Sequence, residues 1–380
     1  MYGELIILDG KAEIKTIQPK KILIATNHAY MLWQFRRELI AELRKDNEVI
    51  LSLPFDTEQH EKQFQEMGVR CIDTPIERRG INPLTDFKLM AHYKKIFQDE
   101  RPDLVITYSI KPNVYAGLVC GKLGIPFCAN VQGLGTAFQK AGLAQFVTLL
   151  YKMAFRKVQT VFFENEANAE EFQKRHIIPA KKQKILHGAG INLERYPYHP
   201  YPENDKVHFL YLGRIMQEKG IDELFAAARD LHALRTDFVL DIVGFYEDDY
   251  KEQVESLVSD GIAIFHGFQE NPVPYYSAAD CIVLPSYHEG MSNVLLEAAA
   301  VGRPLITSDI PGCREAVEPD VSGILVKVKD TDSLRNGMEF FLKKARVDRA
   351  LMGEAGRKRM ELKFDKVQVV KETIRALDIK

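Results

Sequence analysis

Short, uninterrupted apolar runs recur along this chain with helical patterns between them. KILIAT (21–26), EVILSLP (48–54), DLVITYS (103–109), PFCANVQ (126–132) and TVFFEN (160–165) form a first series. VHFLYLG (207–213), FVLDIVG (238–244), IAIFHG (262–267), CIVLPS (281–286), RPLITSD (303–309) and GILVKV (323–328) form a second. A half-exposed strand would alternate apolar with polar residues, and these do not. Continuous Val/Ile/Leu runs separated by helices are parallel strands buried on both faces, because each parallel crossover lays a helix on the sheet. Two such series predict two doubly wound α/β domains. The break falls near ILHGAGINLERYPYHPYPENDK (185–206), where prolines, tyrosines and polar residues interrupt the pattern. The predicted division is 1–200 and 201–364, followed by a terminal helix at 365–380.

Several classes of protein are disfavoured. No apolar run reaches the ~18 residues of a membrane span, and MYGELIILDGKAEIK lacks the basic-then-apolar layout of a signal peptide. The five cysteines (71, 120, 128, 281, 313) are scattered and form no CxxC pair, as expected of small buried hydrophobes in a reducing compartment. The cytoplasm is the expected location, and no nucleic-acid partner is expected. Residues 1–200 carry 28 basic and 22 acidic side chains, a balance of +6, whereas 201–380 carry a balance of −8. Either the first half faces something anionic or the asymmetry is chance.

In open α/β sheets ligands sit beyond the carboxyl ends of the strands, so the residues just after each strand matter most. CIVLPS is followed by the loop Tyr287-His288-Glu289-Gly290-Met291. Ser292 is the expected N-cap of a helix from Asn293 to about Val301, which Gly302 and Pro304 stop. Glu289 then lies on the loop, pointing into the cleft. The amides from Met291 to Val294 make an anion site at the helix tip. Glu297 stands among Leu295, Leu296, Ala298, Ala299, Ala300 and Val301. An unpaired buried carboxylate is costly by several kcal/mol, so it needs a partner. Two sugar-ring hydroxyls would serve; a lysine, or an opening to solvent, is the alternative. After VHFLYLG, the loop from Gly213 and Arg214 to Lys219 and Gly220 is suited to clamping phosphates, or is simply a solvated charged turn.

The ordered set Gly213-Arg214, Lys219-Gly220, Leu284-Pro285-Ser286, Glu289-Gly290, Glu297-Ala298, Gly302-Arg303-Pro304 and Pro311-Gly312 resembles the retaining family 4 glycosyltransferases of the GT-B fold. The Glu-x7-Glu spacing of Glu289 and Glu297 is that family's signature. FENEANAEEF (163–172) and GAGINLERY (188–196) match the end of the first domain. The run 110–138 is similar to the branch that builds capsule, O-antigen and related surface glycans.

The resemblance implies two Rossmann-like domains facing across a cleft, the last helix crossing back to the first. It implies a sugar moved from a nucleotide diphosphate sugar, UDP by analogy, to a glycan or polyprenyl-diphosphate-linked acceptor. Arg214 and Lys219 would bind the diphosphate, and Glu297 the ribose hydroxyls. Glu289 would contact the transferred sugar, with the amides of Gly290, Met291, Ser292 and Asn293 on the sugar and distal phosphate. Gly213, Gly244 and Phe268 of the HGFQ turn (266–269) would lie near donor and base. In the implied mechanism Arg214, Lys219 and the helix tip stabilise the departing diphosphate, whose leaving oxygen accepts the acceptor's proton. Glu289 then does electrostatic work at the anomeric carbon rather than nucleophilic attack.

No cofactor beyond the nucleotide sugar is expected. No Asp-x-Asp follows a strand, and Asp248-Asp249 sits at an expected helix start, where acids are ordinary caps. Family members often carry a glycine pair after the first strand and a histidine near 132. Here Thr26-Asn27-His28-Ala29-Tyr30 lacks glycine and position 132 is glutamine. The acceptor-side candidates are therefore His28, Gln132 and Gly133, with Gly133-Leu134-Gly135 read as a tight cleft-lining loop. FQKAGLAQFVTLLYKMAFRKVQ (138–159) mixes Phe146, Leu149, Leu150, Met153 and Phe155 with Lys140, Lys152, Arg156 and Lys157 and has no acid. It is expected to lie on an anionic bilayer, at the inner face of the plasma membrane, or else to pack on the sheet. MLWQFRRELIAELRK (31–45), with Trp33, Arg36 and Arg37, is read the same way. Rival readings are a UDP-sugar epimerase of the same architecture and a non-catalytic nucleotide-sugar binder.

Overall fold

The computed structural model describes every residue except 1–2, 9–10, 17, 56, 78–81, 135–137, 139–140 and 380; Gly135 and Lys140 therefore lie outside the described residues. A hairpin of β1 (Gly3–Leu8) and β2 (Lys11–Thr16) forms a small antiparallel sheet of its own. The first lobe is built on β3 (Lys21–Ala25), β4 (Glu48–Leu53), β5 (Arg70–Asp73), β6 (Leu104–Tyr108), β7 (Phe127–Val131), β8 (Thr160–Phe163) and β9 (Gln183–Ile185). The second is built on β10 (Val207–Leu212), β11 (Phe238–Val243), β12 (Ala263–Gly267), β13 (Cys281–Leu284), β14 (Leu305–Ser308) and β15 (Gly323–Val326). Both sheets are parallel, in the orders β5-β4-β3-β6-β7-β8-β9 and β12-β11-β10-β13-β14-β15.

Every residue of β6, β7 and β11 is buried, which is the physical origin of the apolar runs. Polar residues within them are matched: the Thr107 hydroxyl donates to Asn113 Oδ1 at 2.6 Å, and Asp241 pairs with His208 and His266, each at 2.7 Å. The strand order reverses beside β3 and beside β10, opening a crevice at the carboxyl end of each sheet. Those two ends face one another.

The chain crosses between lobes twice. Once is at the linker after β9. The second crossing follows the π-turn Met360–Phe364, beyond which the helix Lys366–Leu377 runs along the first lobe. Its Val370 and Leu377 share a core with Leu39, Ile40 and Leu43 of the helix Ala29–Arg44. The crossings are stitched together, with Ile191 N–H donating to Phe364 O at 2.7 Å and Lys366 N–H to Ile191 O at 3.0 Å. Arg303, fully buried, ties the linker to the second lobe by donating to the carbonyls of His199, Pro200, Tyr276 and Ser277.

Two expectations need correction. Arg36 does not face outward: it is 6% exposed and pairs with Glu164 at 2.7 Å, while Trp33 packs edge-on against Phe64. The Ala29–Arg44 helix thus turns Arg36 and Trp33 inward, while Tyr30 and Arg44 stay exposed. Asp248 does not cap a helix; it accepts from Gln217 N–H at 3.0 Å, and the next helix starts at Lys251 after Tyr250.

Candidate active site

The loop after β10 turns through Gln217–Lys219 and enters the helix Ile221–His232 at Gly220. Gly220 has φ 73°, and a Cβ there would lie 2.1 Å from the Pro285 carbonyl oxygen. Only glycine lets this loop pack onto the end of β13. The contact brings Lys219 to Glu289: Nζ and Oε1 are 2.6 Å apart, and the Ser286 hydroxyl donates to the same oxygen at 2.8 Å. The cation and the acid form an ion pair. Arg214 is half-exposed and lies 3.7 Å from Glu247.

The helix Asn293–Val301 begins directly after this loop. Ser292 occupies the N-cap position, but its hydroxyl makes no capping bond, and its N–H donates to Gly312 O at 2.8 Å. The Ser292 amide is therefore already engaged, which corrects its expected place among the amides offered to the donor. A cleft of about 850 Å³, within the range of ordinary ligand pockets, is lined by Arg214, Lys219, Glu289 and Gly290 from one lobe and by Gln132 and Gly133 from the other. His28 is the N-cap residue of Ala29–Arg44 and, among the described residues, does not line this cleft.

Glu297 lies farther along the same helix and is 8% exposed. Tyr276 Oη donates to its Oε2 at 2.9 Å. Burial pushes its pKa above the ordinary carboxylate value, while Tyr276, Tyr196, Arg195 and Lys366 pull it back. Its immediate surroundings, shared with Asn293, Arg195 and Lys366, enclose only about 10 Å³, room for a single water. Glu297 thus lines a closed recess beside the main cleft rather than the cleft itself. Lys366, also buried, has its pKa pushed down to about 8 and donates to Phe35 O at 3.1 Å. At the ends of β11 and β12, Phe268 is exposed beside Phe245, ring centroids 6.0 Å apart. Gly244 approaches so closely that a Cβ would lie 1.8 Å from Gly213 O.

Sequence reasoning missed Ser286, Tyr276, Tyr196 and Phe245. Ser286 follows a strand's carboxyl end and was legible by the same rule as Glu289. The tyrosines carried no signal, because they reach Glu297 from other elements. Among the described residues no group of three or more His, Cys, Asp or Glu is arranged to hold a metal ion.

Two parallel-sheet lobes closing on a cation–carboxylate pair at a helix tip define a two-lobed sugar-nucleotide enzyme of the GT-B class. Residues 199–359 match the model described as glycosyl transferases group 1, and residues 21–165 that described as glycosyl transferase 4-like. The chain belongs to this glycosyltransferase family. It is 27% identical over 331 residues to the N,N'-diacetylbacillosaminyl-diphospho-undecaprenol alpha-1,3-N-acetylgalactosaminyltransferase of Campylobacter jejuni, covering 82% of this chain and 86% of the relative. It is 26% identical over 292 residues to the UDP-Gal:alpha-D-GlcNAc-diphosphoundecaprenol alpha-1,3-galactosyltransferase of Escherichia coli, covering 71% and 74%. Anabaena Alr3699/HepE in complex with UDP shares the fold, with a TM-score of 0.77 at 16% identity over 94% of this chain and 99% of that one.

Proposed function

We propose that this glycosyltransferase moves a sugar, with retention at the anomeric carbon, from a UDP-linked donor to a glycan carried on a polyprenyl diphosphate in surface-polysaccharide synthesis. The observation that carries this reading is the 2.6 Å Lys219–Glu289 pair at the start of the Asn293 helix. A diphosphate arriving at the helix tip gives Lys219 a stronger partner and releases Glu289 toward the sugar. Arg214 folds over the same charge. Together they stabilise the leaving diphosphate as its charge develops, and its oxygen takes the acceptor's proton. These cations and the helix dipole supply the charge compensation a metal would otherwise provide, so chelation with EDTA should leave turnover unchanged. Phe268, beside Phe245, is placed to stack on the base, and Glu297 to take ribose once its recess opens. The acceptor class is supported by relatives whose names specify undecaprenyl-diphosphate-linked acceptors.

A lipid-linked acceptor requires contact with a membrane, and one face of the first lobe suits it. The helix Ala141–Ala154 exposes Phe146, Leu149 and Met153 beside exposed Lys152, Arg156 and Lys157. The helix Pro83–Glu100 exposes Leu84 and Phe87 beside Lys88, Lys94 and Lys95. Both pack against the helix Ile110–Leu123, so the stripes share one face. Apolar rows with basic neighbours favour an anionic bilayer surface. Among the described residues, no helix is long and apolar enough to cross a membrane.

The test incubates the protein with UDP-N-acetylgalactosamine, UDP-N-acetylglucosamine, UDP-galactose and UDP-glucose, each with undecaprenyl-diphosphate-linked saccharides. UDP release and the anomeric configuration of the product are measured. Acceptor-dependent release with an α-linked product is expected. Interconversion of the UDP-sugar without acceptor would favour an epimerase, and binding of UDP-sugars without any turnover would favour a binder; either would overturn the reading.

A further inference from the structure

The segment FENEANAEEF (163–172) sends Asn168 and Glu171 to the wall of the cleft, and its start forms the seam between the lobes. Beyond β8, Asn165 is 2% exposed and uses both ends of its amide. Its Oδ1 accepts from Asn168 N–H at 2.9 Å, capping the helix Glu166–Lys174. Its Nδ2 crosses to the second lobe and donates to Gly290 O at 2.6 Å. Gly290 is the residue after Glu289.

The seam leaves no space. A Cβ on Gly290 would lie 1.6 Å from Gln132 O and 3.3 Å from Glu164 Oε2. Glu164 is held in turn by Arg36 at 2.7 Å. From the opposite side Gly312 backs the loop so closely that a Cβ there would lie 2.6 Å from the oxygens of both Glu289 and Gly290. Lys219 and Ser286 fix the Glu289 carboxylate from within the second lobe. The peptide behind it is gripped between Gly312 and the first lobe.

We propose that Asn165 is a positioning residue: by binding the Gly290 carbonyl it completes the Glu289 loop only when the lobes are closed. Closure then sets the rate of transfer while leaving the affinity for the nucleotide to the second lobe alone. This rests on the donor-site reading of Glu289. Hinge closure that assembles a reacting constellation is a general way of withholding chemistry until substrate is enclosed.

Asn165→Ser and Asn165→Asp both retain a good N-cap acceptor. Serine is too short to reach Gly290, and aspartate turns an acceptor toward a carbonyl. Melting temperature, the Kd for UDP, and kcat and KM for UDP release are measured, using the UDP-sugar the wild-type protein turns over fastest. For serine, melting temperature and UDP affinity should stay close to wild type while kcat falls about 3- to 10-fold, the loss of one hydrogen bond; aspartate, which buries a carboxylate against a carbonyl, should lose more kcat and also melt lower. Asn165→Ala loses cap and bridge together, so its extra loss of melting temperature isolates the structural part. Wild-type kcat in the serine and aspartate variants, with Glu289→Gln impaired, would overturn the inference and leave the donor site standing. A kcat loss that merely tracks melting temperature would also overturn it. Wild-type kcat in Glu289→Gln would remove the donor-site reading and this inference with it.

Discussion

Replacing Glu297 by glutamine should move stability and donor affinity in opposite directions. The carboxylate is nearly buried, and its pKa stands above the ordinary value chiefly because of that burial. A carboxyl whose folded pKa exceeds its unfolded pKa binds its proton more tightly in the folded state. Stability therefore falls as pH rises from the unfolded value through the folded one, and the full cost is present above the folded value. Glutamine keeps the shape and an acceptor for Tyr276 Oη but removes the charge. Glu297→Gln should melt no lower than wild type at pH 7.5, and any gain should vanish on acidification below the ordinary carboxylate range. Donor binding should suffer. Tyr276 engages Oε2 and Tyr196 also bonds the carboxyl, so a ribose hydroxyl would bind in exchange for a tyrosine. A hydrogen bond to a charged acceptor contributes ~1.5–3 kcal/mol against ~0.5–1.5 for a neutral one. The difference of ~1–1.5 kcal/mol corresponds to about a tenfold rise in Kd. Titration calorimetry with UDP and thermal melts across pH measure both. Glu297→Ala is the contrasting control: it strands the fully buried Tyr276 hydroxyl and should cost ~1–3 kcal/mol of stability. If Glu297→Gln binds UDP as wild type does but melts lower, Glu297 is only a structural partner of Tyr276 and the ribose role is refuted.

Other perturbations follow from single features. Arg303→Lys should lower unfolding free energy in urea by at least ~3 kcal/mol, since an ammonium with three donors cannot serve carbonyls of Tyr276, His199, Pro200 and Ser277 at once. The Asp241 hydrogen bond raises the His208 pKa above its ordinary value. That contribution is complete below the unfolded pKa and is lost as pH rises through the folded one, so melting temperature should fall above pH ~6.5, and Asp241→Asn should flatten the dependence. Leu149→Glu with Met153→Glu, at exposed positions, should abolish sedimentation with phosphatidylglycerol vesicles while leaving the melting temperature unchanged. Sedimentation equal to wild type would rule out that face as the membrane contact.

What the chain disclosed about itself depended on where each partner lies. The central strands were legible because burial on both faces leaves an unbroken apolar signature. The edge strands β5 (RCID) and β9 (QKI) were not, since an edge half open to water tolerates arginine, aspartate, glutamine and lysine. The helix Asn293–Val301 was readable from its glycine and proline stop, but the engagement of its Ser292 amide by Gly312 was not, because that contact spans two loops.

The two charges that matter most show the same limit from opposite sides. Glu297 announced itself as an acid in apolar company, and the sequence offered ribose, lysine or water as partners. The structure supplies tyrosines, one from the helix Val273–Ala278, with Lys366 and Arg195 adding positive charge from the same recess. Arg36 gave the same warning unread. The buried positions of its helix are 29, 32, 36, 39, 40 and 43, a regular inward stripe, so a charge at 36 also required a partner. That partner is Glu164, whose other oxygen abuts Gly290. A charge on a buried stripe therefore marks a long-range pairing even when its partner cannot be named. Here one such charge lines the small recess beside the cleft, and the other braces the seam where the lobes meet behind Glu289. The periodicity that locates a core thus also points, through its violations, to the surfaces on which the lobes close.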